Sequence, residues 1–413
     1  MKIILYSLNF YPEIVGIGKY TGELATWLVK RGHEVKVICA PCYFPEWAIQ
    51  NPNKNKYSEE IINGVTIYRA PLWVPSRPRG ISRIIHLLSF AFSSIYPLYK
   101  QYKWRPDIIL TVAPAIFCAP AALLFASICG KQCNSIIHIQ DFELDAAFEL
   151  GLLKGQAILD LAKKIEKKIL RSFNYSSSIS NEMLKKLHEK GVSPEKSFIF
   201  PNWVDLETIY PLTHDEIVEN RCNREYTMKK DLIILMYSGS MNKKQDFKLL
   251  IESINYLSEL KEDIIWLIGG EGPSKNYVLE HTKNIKNVIV QPLQPEWKMN
   301  KWLNLADIHL VPQKAGTNEL VLPSKILGML ASGKPIVATA PKMSELHTLI
   351  NEAGLCVEPG DSKGFAKAIR NLIENPEERK IYGLKGRKIA EERFGKENVL
   401  KRFEDRLKNC KKH

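Results

Sequence analysis

Short apolar runs alternate with helix-patterned stretches along the whole chain, and the alternation starts over once. The first set holds the strand-like runs Lys2–Ser7, Glu34–Cys39, Val65–Arg69, Ile108–Val112, Ser135–Ile139, Ser176–Ile179 and Ser197–Phe200, with helical patterns such as Gly18–Arg31 and Leu152–Asn174 between them. A second set follows with Leu232–Tyr237, Ile264–Ile268, Val288–Val290, Ile308–Val311, Ile336–Ala338 and Leu355–Val357. Such spacing predicts parallel sheets with helices on both faces, and two sets predict two Rossmann-like, doubly wound α/β domains. A chain of 413 residues accommodates both. The expected boundaries are an N-terminal domain over 1–205, a linker over 206–230 and a C-terminal domain over 231–395. A basic amphipathic helix over 396–413 is expected to cap the second domain or cross back to the first. Ligands of open α/β sheets bind beyond the carboxyl ends of the strands, so two facing domains would share a cleft.

Charge narrows the choice of partner. There are 58 lysines and arginines against 45 acidic residues, a net charge of +13. That balance favours nucleic acid, acidic phospholipid or a phosphorylated small molecule. From Ala70 to Pro106 there is no Asp or Glu, while Arg77, Arg79, Arg83, Lys100, Lys103 and Arg105 lie among aromatic and aliphatic residues. No nucleic-acid-binding motif accompanies them, so the segment reads as a surface for anionic lipid, with a core helix carrying a basic rim as the plainer alternative. Met1–Tyr6 lacks the apolar core and cleavage site of a signal peptide and reads as a first strand. The most apolar window, Ala113–Cys129, is short for a membrane span and holds two prolines, which predicts a buried helix. Eight cysteines fit a reducing cytoplasm. Cys39-Ala-Pro-Cys42 has redox-motif spacing but neither a thioredoxin-like context nor a second ligand pair for a metal. The expected location is the cytoplasm, peripheral on the inner face of the membrane.

Several glycine-rich loops follow predicted strands. Gly16-Ile-Gly18 opens the first helix, where backbone amides favour negative charge, although a plain tight turn has the same pattern. It is not a dinucleotide fingerprint, because Thr21 stands where the third glycine belongs. Gly239-Ser240-Met-Asn-Lys243-Lys244 follows the first strand of the second set and offers an open backbone with two cations. Gly269-Gly270-Glu271-Gly272 follows the next strand, and Leu322-Pro323-Ser324-Lys325 precedes a predicted helix, as a diphosphate cradle would.

Taken in order, these motifs make the chain similar to GT-B fold glycosyltransferases of the GT4 group, particularly the bacterial colanic-acid WcaI-type enzymes. The resemblance runs nearly end to end. It is carried by Asn9-Phe-Tyr-Pro-Glu13, Gly16-Ile-Gly18-Lys-Tyr-Thr-Gly-Glu, Gly32-His-Glu-Val, His138-Ile-Gln-Asp141-Phe-Glu-Leu-Asp145, Phe200-Pro-Asn202-Trp, Tyr237-Ser-Gly239, Gly269-Gly-Glu-Gly272 and Leu322-Pro-Ser-Lys325. It implies metal-independent, retaining transfer of a sugar from a GDP- or UDP-linked donor, and the chain indeed contains no Asp-x-Asp clamp. An L-fucose-type 6-deoxyhexose or its N-acetylated counterpart is the implied class of sugar, with no residue here to discriminate. The implied acceptor is a glycan of a bacterial surface polysaccharide, carried on a polyprenyl diphosphate at the anionic inner-membrane surface.

The resemblance also assigns roles. Lys244 and Lys325 would meet the charge of the leaving diphosphate, with Gly16, Gly18, Gly239, Leu322 and Ser324 lining it. Glu271, Gly272 and Gln291 to Leu293 would form the nucleoside wall. His138 would contact the donor sugar, and Asp141, Glu143 and Asp145 would grip acceptor hydroxyls. Two departures stand out. The family's two glutamates, with seven residues between them, would fall at Leu320 and Gly328, leaving Glu319 one residue from the first position and nothing at the second. The family's arginine after the first phosphate-loop glycine is replaced by Ser240. A nucleotide-sugar epimerase of the same fold, which isomerises a donor without an acceptor, and a non-catalytic scaffold of a polysaccharide assembly complex, which binds no donor, are the alternatives.

Overall fold

The structure, a computed structural model, describes residues 1–13, 16–44, 46–49, 51–76, 80–112, 115–142, 145, 156–222, 232–260, 264–316 and 322–411. The chain divides into two compact units, Met1–Pro201 with Leu400–His413, and Asn202–Val399.

The first unit is built on an eight-stranded sheet of β1 (Lys2–Tyr6), β2 (Glu34–Cys39), β3 (Ser58–Ile62), β4 (Val65–Arg69), β5 (Ile108–Thr111), β6 (Asn134–Ile139), β7 (Tyr175–Ser178) and β8 (Ser197–Ile199). Its order is β3-β4-β2-β1-β5-β6-β7-β8. Strand β1 lies inside this sheet, and Ile3, Ile4, Leu5 and Tyr6 are all fully buried. Burial on both faces is why such strands read as continuous apolar runs instead of alternating ones. One strand departs from the expected pattern. Strand β3 pairs antiparallel with β4 through a two-residue turn at Asn63 and Gly64, whose φ angles are 52° and 79°. Its sequence, Ser-Glu-Glu-Ile-Ile, is almost wholly exposed and lacks an apolar run, but Asn-Gly is the residue pair that such a mirror-image turn demands.

The apolar window near residue 120 forms a helix, Ala115–Cys129, between β5 and β6. It is not buried all round. Cys118, Ala119, Ala122 and Phe125 pack inward, while Leu124 and Ile128 face outward. The Leu400–Lys411 end of the last helix packs within the first unit, where the Phe403 ring stacks on Phe200 at 3.8 Å.

The second unit holds a six-stranded, wholly parallel sheet of β9 (Ile233–Ser238), β10 (Ile264–Gly269), β11 (Val288–Gln291), β12 (Ile308–Val311), β13 (Ile336–Thr339) and β14 (Gly354–Val357). The order β11-β10-β9-β12-β13-β14 reverses direction between β9 and β12. Two apolar cores cover the faces, one around Trp302 and Leu330, the other around Trp266 and Phe365. Reversal parts the loops leaving β9 and β12 to opposite faces, which opens a crevice at the carboxyl edge of the sheet.

Candidate functional site

The loops at that crevice are laced by backbone bonds. Gly239 N–H donates to Gly269 O at 3.0 Å, Met241 N–H to Glu271 O at 2.8 Å, and Gly270 N–H to Gln291 O at 3.1 Å. The approach is close enough to require glycine. A Cβ on Gly270 would lie 1.9 Å from Gly239 O, and Gly270 has φ of 155°. Across the reversal, Gln245 bridges to Gln313, and Asp246 N–H donates to Pro312 O at 2.8 Å. Gly239, Glu271, Gly272 and Gln291 therefore stand together at the ends of three adjacent strands.

Lys325 joins them. It begins the helix Lys325–Ala331, and its stem lies against Gly239, where a Cβ would sit 3.1 Å from Lys325 Cδ. Its ammonium donates to Gln245 Oε1 at 2.9 Å and sits 4.4 Å from the centre of the Tyr237 ring. Among the described residues no carboxylate pairs with it. Loss of water around the ammonium pushes its pKa down to about 7. A partly desolvated cation beside open backbone is built to receive an anion. Tyr237 is fixed in turn by donating its hydroxyl to Ser240 O at 2.7 Å. Gln245 and the ring of Tyr237 were not foreseen as holders of Lys325; Tyr237 carries only the signal of ending a strand, and Gln245 carries none.

The remaining second-unit candidates lie nearby with differing exposure. Lys244 is exposed, its N–H bonded to Asn242 Oδ1 at 2.9 Å. Ser324 precedes the Lys325 helix without a side-chain capping bond, Leu322 packs partly on the core, and Leu293 is exposed beyond β11. Glu319 lies outside the described residues. A Cβ on Gly328 would be 3.2 Å from Leu303 Cδ1, so the position counted for the second family carboxylate packs against a buried leucine.

In the first unit, Gly16 (φ 60°) and Gly18 start the helix Gly16–Lys30. A Cβ on Gly18 would lie 2.6 Å from Glu13, a buried carboxylate that accepts from Asn9 Nδ2 and from the amides of Tyr43 and Phe44. Burial pushes the Glu13 carboxyl up despite those three bonds. His138, expected as a donor-sugar contact, is enclosed. It is 2 % exposed, sits opposite Ser177 in the β6–β7 register, bonds Ser177 Oγ at 2.9 Å and packs on Phe200. Burial pushes its pKa down to about 3, so it is a neutral ring held inside the sheet. Asp145 is also engaged, with Lys186 at 2.6 Å and Lys190 at 3.2 Å. Burial opposes its charge, but the two lysines outweigh that and hold its carboxyl below the usual range. Asp141 is exposed, while Glu143, Arg77 and Arg79 lie outside the described residues.

Comparison with known proteins agrees with the fold. Residues 15–203 match the family described as "Glycosyl transferase 4-like domain", and residues 233–375 match "Glycosyl transferases group 1". The chain is 36% identical over 412 residues to the "Putative colanic acid biosynthesis glycosyl transferase WcaI" of Escherichia coli (strain K12), covering 98% of each chain. It is 22% identical to an uncharacterized glycosyltransferase of Methanocaldococcus jannaschii, covering 98% of this chain and 97% of that one. Among solved structures, sucrose-phosphate synthase from Thermosynechococcus elongatus superposes with a TM-score of 0.75 at 15% identity, covering 98% of each chain. Anabaena HepE in complex with UDP and glucose superposes at 0.68 with 14% identity, covering 99% of this chain and 100% of that one. With two parallel α/β units, glycine loops at a strand-order reversal and end-to-end similarity to a glycosyltransferase, the chain belongs to the GT-B fold, group 1 and 4-like family of glycosyltransferases.

Proposed function

We propose that this glycosyltransferase moves a sugar from a nucleoside-diphosphate donor, with retention of anomeric configuration, onto a lipid-linked glycan of a bacterial surface polysaccharide. The observation that carries the donor side is Lys325: a partly desolvated ammonium with no carboxylate among the described residues, beside the bare backbone of Gly239. In the transfer, the bond from the anomeric carbon to the diphosphate oxygen breaks and the acceptor oxygen takes that carbon. The acceptor proton leaves on the diphosphate, whose growing charge Lys325 and the more exposed Lys244 meet. That HepE is solved with UDP supports a uridine or comparable nucleotide here. A thermal-shift panel of UDP, GDP and their sugars tests the reading, since binding to the native state alone raises the melting temperature. No response to any of them would reject it.

The acceptor side is assigned to the first unit, with an anionic membrane surface as its partner. Residues Ile81–Tyr99 form a 19-residue stretch that is long and apolar enough, by length and composition, to cross a membrane. They nevertheless make two helices, Ile81–Ser93 and Ile95–Tyr99, whose inner side is committed to the unit. His86, Phe90 and Leu98 are fully buried, and Ser94 Oγ is 2.6 Å from the Tyr6 hydroxyl. Ile81, Ile85, Phe92, Ile95 and Tyr96 face outward, with Arg83, Lys100, Lys103 and Arg105 exposed around them and no acid in the segment. An apolar face with a basic rim suits the headgroup layer of an anionic bilayer.

A further inference from the structure

Only one end of the Gln245 carboxamide is occupied. Its Oε1 accepts from the Lys325 ammonium at 2.9 Å. An ammonium donates and cannot accept, so this contact fixes which way the amide is turned: the oxygen meets Lys325 and the NH2 is left over. Among the described residues that NH2 has no hydrogen-bond partner, although Gln245 is only 7 % exposed. Glutamine is also neutral. It holds the ammonium without cancelling its charge, and no carboxylate among the described residues does so either. An anionic oxygen is the group that answers both, since it accepts from the amide and the ammonium and balances the charge.

The backbone at Gln245 is fixed without help from its side chain. Gln245 pairs antiparallel with Gln313, and its N–H donates to Asn242 O at 3.2 Å. On either side, Lys314 N–H donates to Lys244 O at 3.0 Å and Asp246 N–H to Pro312 O at 2.8 Å. Gln313 is tied in turn to the end of β13: its N–H donates to Thr339 Oγ1 at 2.6 Å, and its carbonyl accepts from that hydroxyl at 2.7 Å. Asp246 caps the helix Phe247–Tyr256 by accepting from Leu249 N–H at 3.1 Å. Residues leaving β9, β12 and β13 thus lock position 245 through main chain and a threonine, and the carboxamide is not needed to close the loop. Lys325 is steadied from a second side by the Tyr237 ring, 4.4 Å from its ammonium. Donors held in advance lose little freedom when a ligand arrives.

We propose that Gln245 is a further diphosphate-binding residue: its NH2 donates to one oxygen of the donor's diphosphate, while its Oε1 positions Lys325 for a neighbouring oxygen. The assignment rests on the nucleoside-diphosphate donor proposed above. It makes neutrality at position 245 essential. A glutamate of the same shape would still hold Lys325, but it would cancel the ammonium's charge and present an oxygen where the amide presents N–H donors. Methionine, of similar length, would remove both ends of the interaction. Among the described residues Tyr237 is the titratable group against Lys325, and burial pushes its hydroxyl pKa up, so it stays neutral across the range tested.

Titration calorimetry of the full-length protein with UDP and GDP, at intervals from pH 6 to pH 9, compares wild type with Gln245→Glu and Gln245→Met. At pH 6.5 Gln245→Glu is expected to bind the nucleotide about tenfold or more weakly, as loss of a hydrogen bond to a charged group requires. Its carboxylate keeps Lys325 protonated to higher pH, so its affinity should stay flat where wild type falls, and the gap should close towards pH 9. Gln245→Met should lose about as much at pH 6.5, with its fall in affinity starting below pH 7 because the ammonium has lost its acceptor. The opposite movements of the two profiles are what a merely structural role would not produce. Nucleotide affinity within twofold of wild type at pH 6.5 in either folded variant, or a loss in Gln245→Glu that is the same at every pH, would overturn the assignment and leave the donor reading standing. Wild type that binds neither nucleotide rejects the donor reading, and this role with it.

Discussion

If Lys325 meets the donor diphosphate as proposed, a single ammonium links acidity to donor binding. Burial holds its pKa at about 7 without ligand, far below the ordinary lysine value. An anionic diphosphate favours the charged form, so bound protein keeps its proton to higher pH than free protein. Affinity for UDP is therefore expected to be flat below pH 7 and to fall by up to about tenfold per pH unit above it. Titration calorimetry between pH 6 and 9 measures this, with proton uptake on binding near pH 8. In Lys325→Gln the dependence should vanish, and a wild-type affinity unchanged to pH 9 would refute the role. Because the charge it faces grows as the bond breaks, Lys325→Ala should also lower kcat by orders of magnitude in folded protein. A second residue-scale expectation concerns Gly270, where any side chain meets Gly239 O. Gly270→Ala should lose about 2–4 kcal/mol in urea unfolding. Gly360→Ala, with φ of 86° but nothing within 4 Å, should lose only about 1 kcal/mol. Equal losses would show that crowding at the loop crossing is not what demands glycine. The loop glycines and Lys325 were readable because such residues recur in order along a chain. Gln245 and the enclosure of His138 were not, since each depends on which strand lies beside which.

At the scale of elements, sequence pattern worked where burial is two-sided and failed where an element is exposed. Strands such as β1 and β9 are apolar throughout because both faces are covered. Strand β3 has no inward face and is marked only by its turn. The Ala115–Cys129 helix shows the converse error: an apolar composition does not require that every side be covered. The Ile81–Ser93 helix shares that trait, and there basic residues accompany the uncovered side. Each exposed cation near an anionic bilayer contributes about 1 kcal/mol, which makes docking reversible and sensitive to salt. The protein is expected to cosediment with phosphatidylglycerol-containing vesicles, to be released by high salt, and to be retained several-fold less after Arg83→Glu with Lys100→Glu. Equal retention on neutral vesicles would exclude electrostatic docking. Phe92→Ser should weaken retention without changing the salt dependence, as loss of an inserted apolar group requires.

Over the whole molecule, sequence order and unit membership part company, because the first unit is completed by residues 400–413 after the chain has passed through all of the second. The closing contacts are specific. Phe403 lies on Phe200 and against Phe198, while Glu404, 2 % exposed, receives His33 at 2.9 Å, Arg31 at 3.3 Å and Lys408 at 2.8 Å. Burial opposes the Glu404 charge, yet bonds from Lys408 and His33, with Arg31 nearby, outweigh it and hold the carboxyl at about 2. Unfolded, the same carboxyl would titrate near 4.5, its ordinary value. A folded pKa below the unfolded one contributes stability that is complete above about pH 4.5 and disappears as pH falls towards 2. Glu404→Gln should therefore lower the urea midpoint of the first unit at pH 7, followed by its own tryptophans, and the gap to wild type should narrow steadily at pH 4 and pH 3. A gap as wide at pH 3 as at pH 7 would mean that packing, not charge, is what the substitution removes. Phe403→Ala supplies that contrast, since a lost aromatic contact should lower the midpoint by the same amount at every pH at which the protein remains folded.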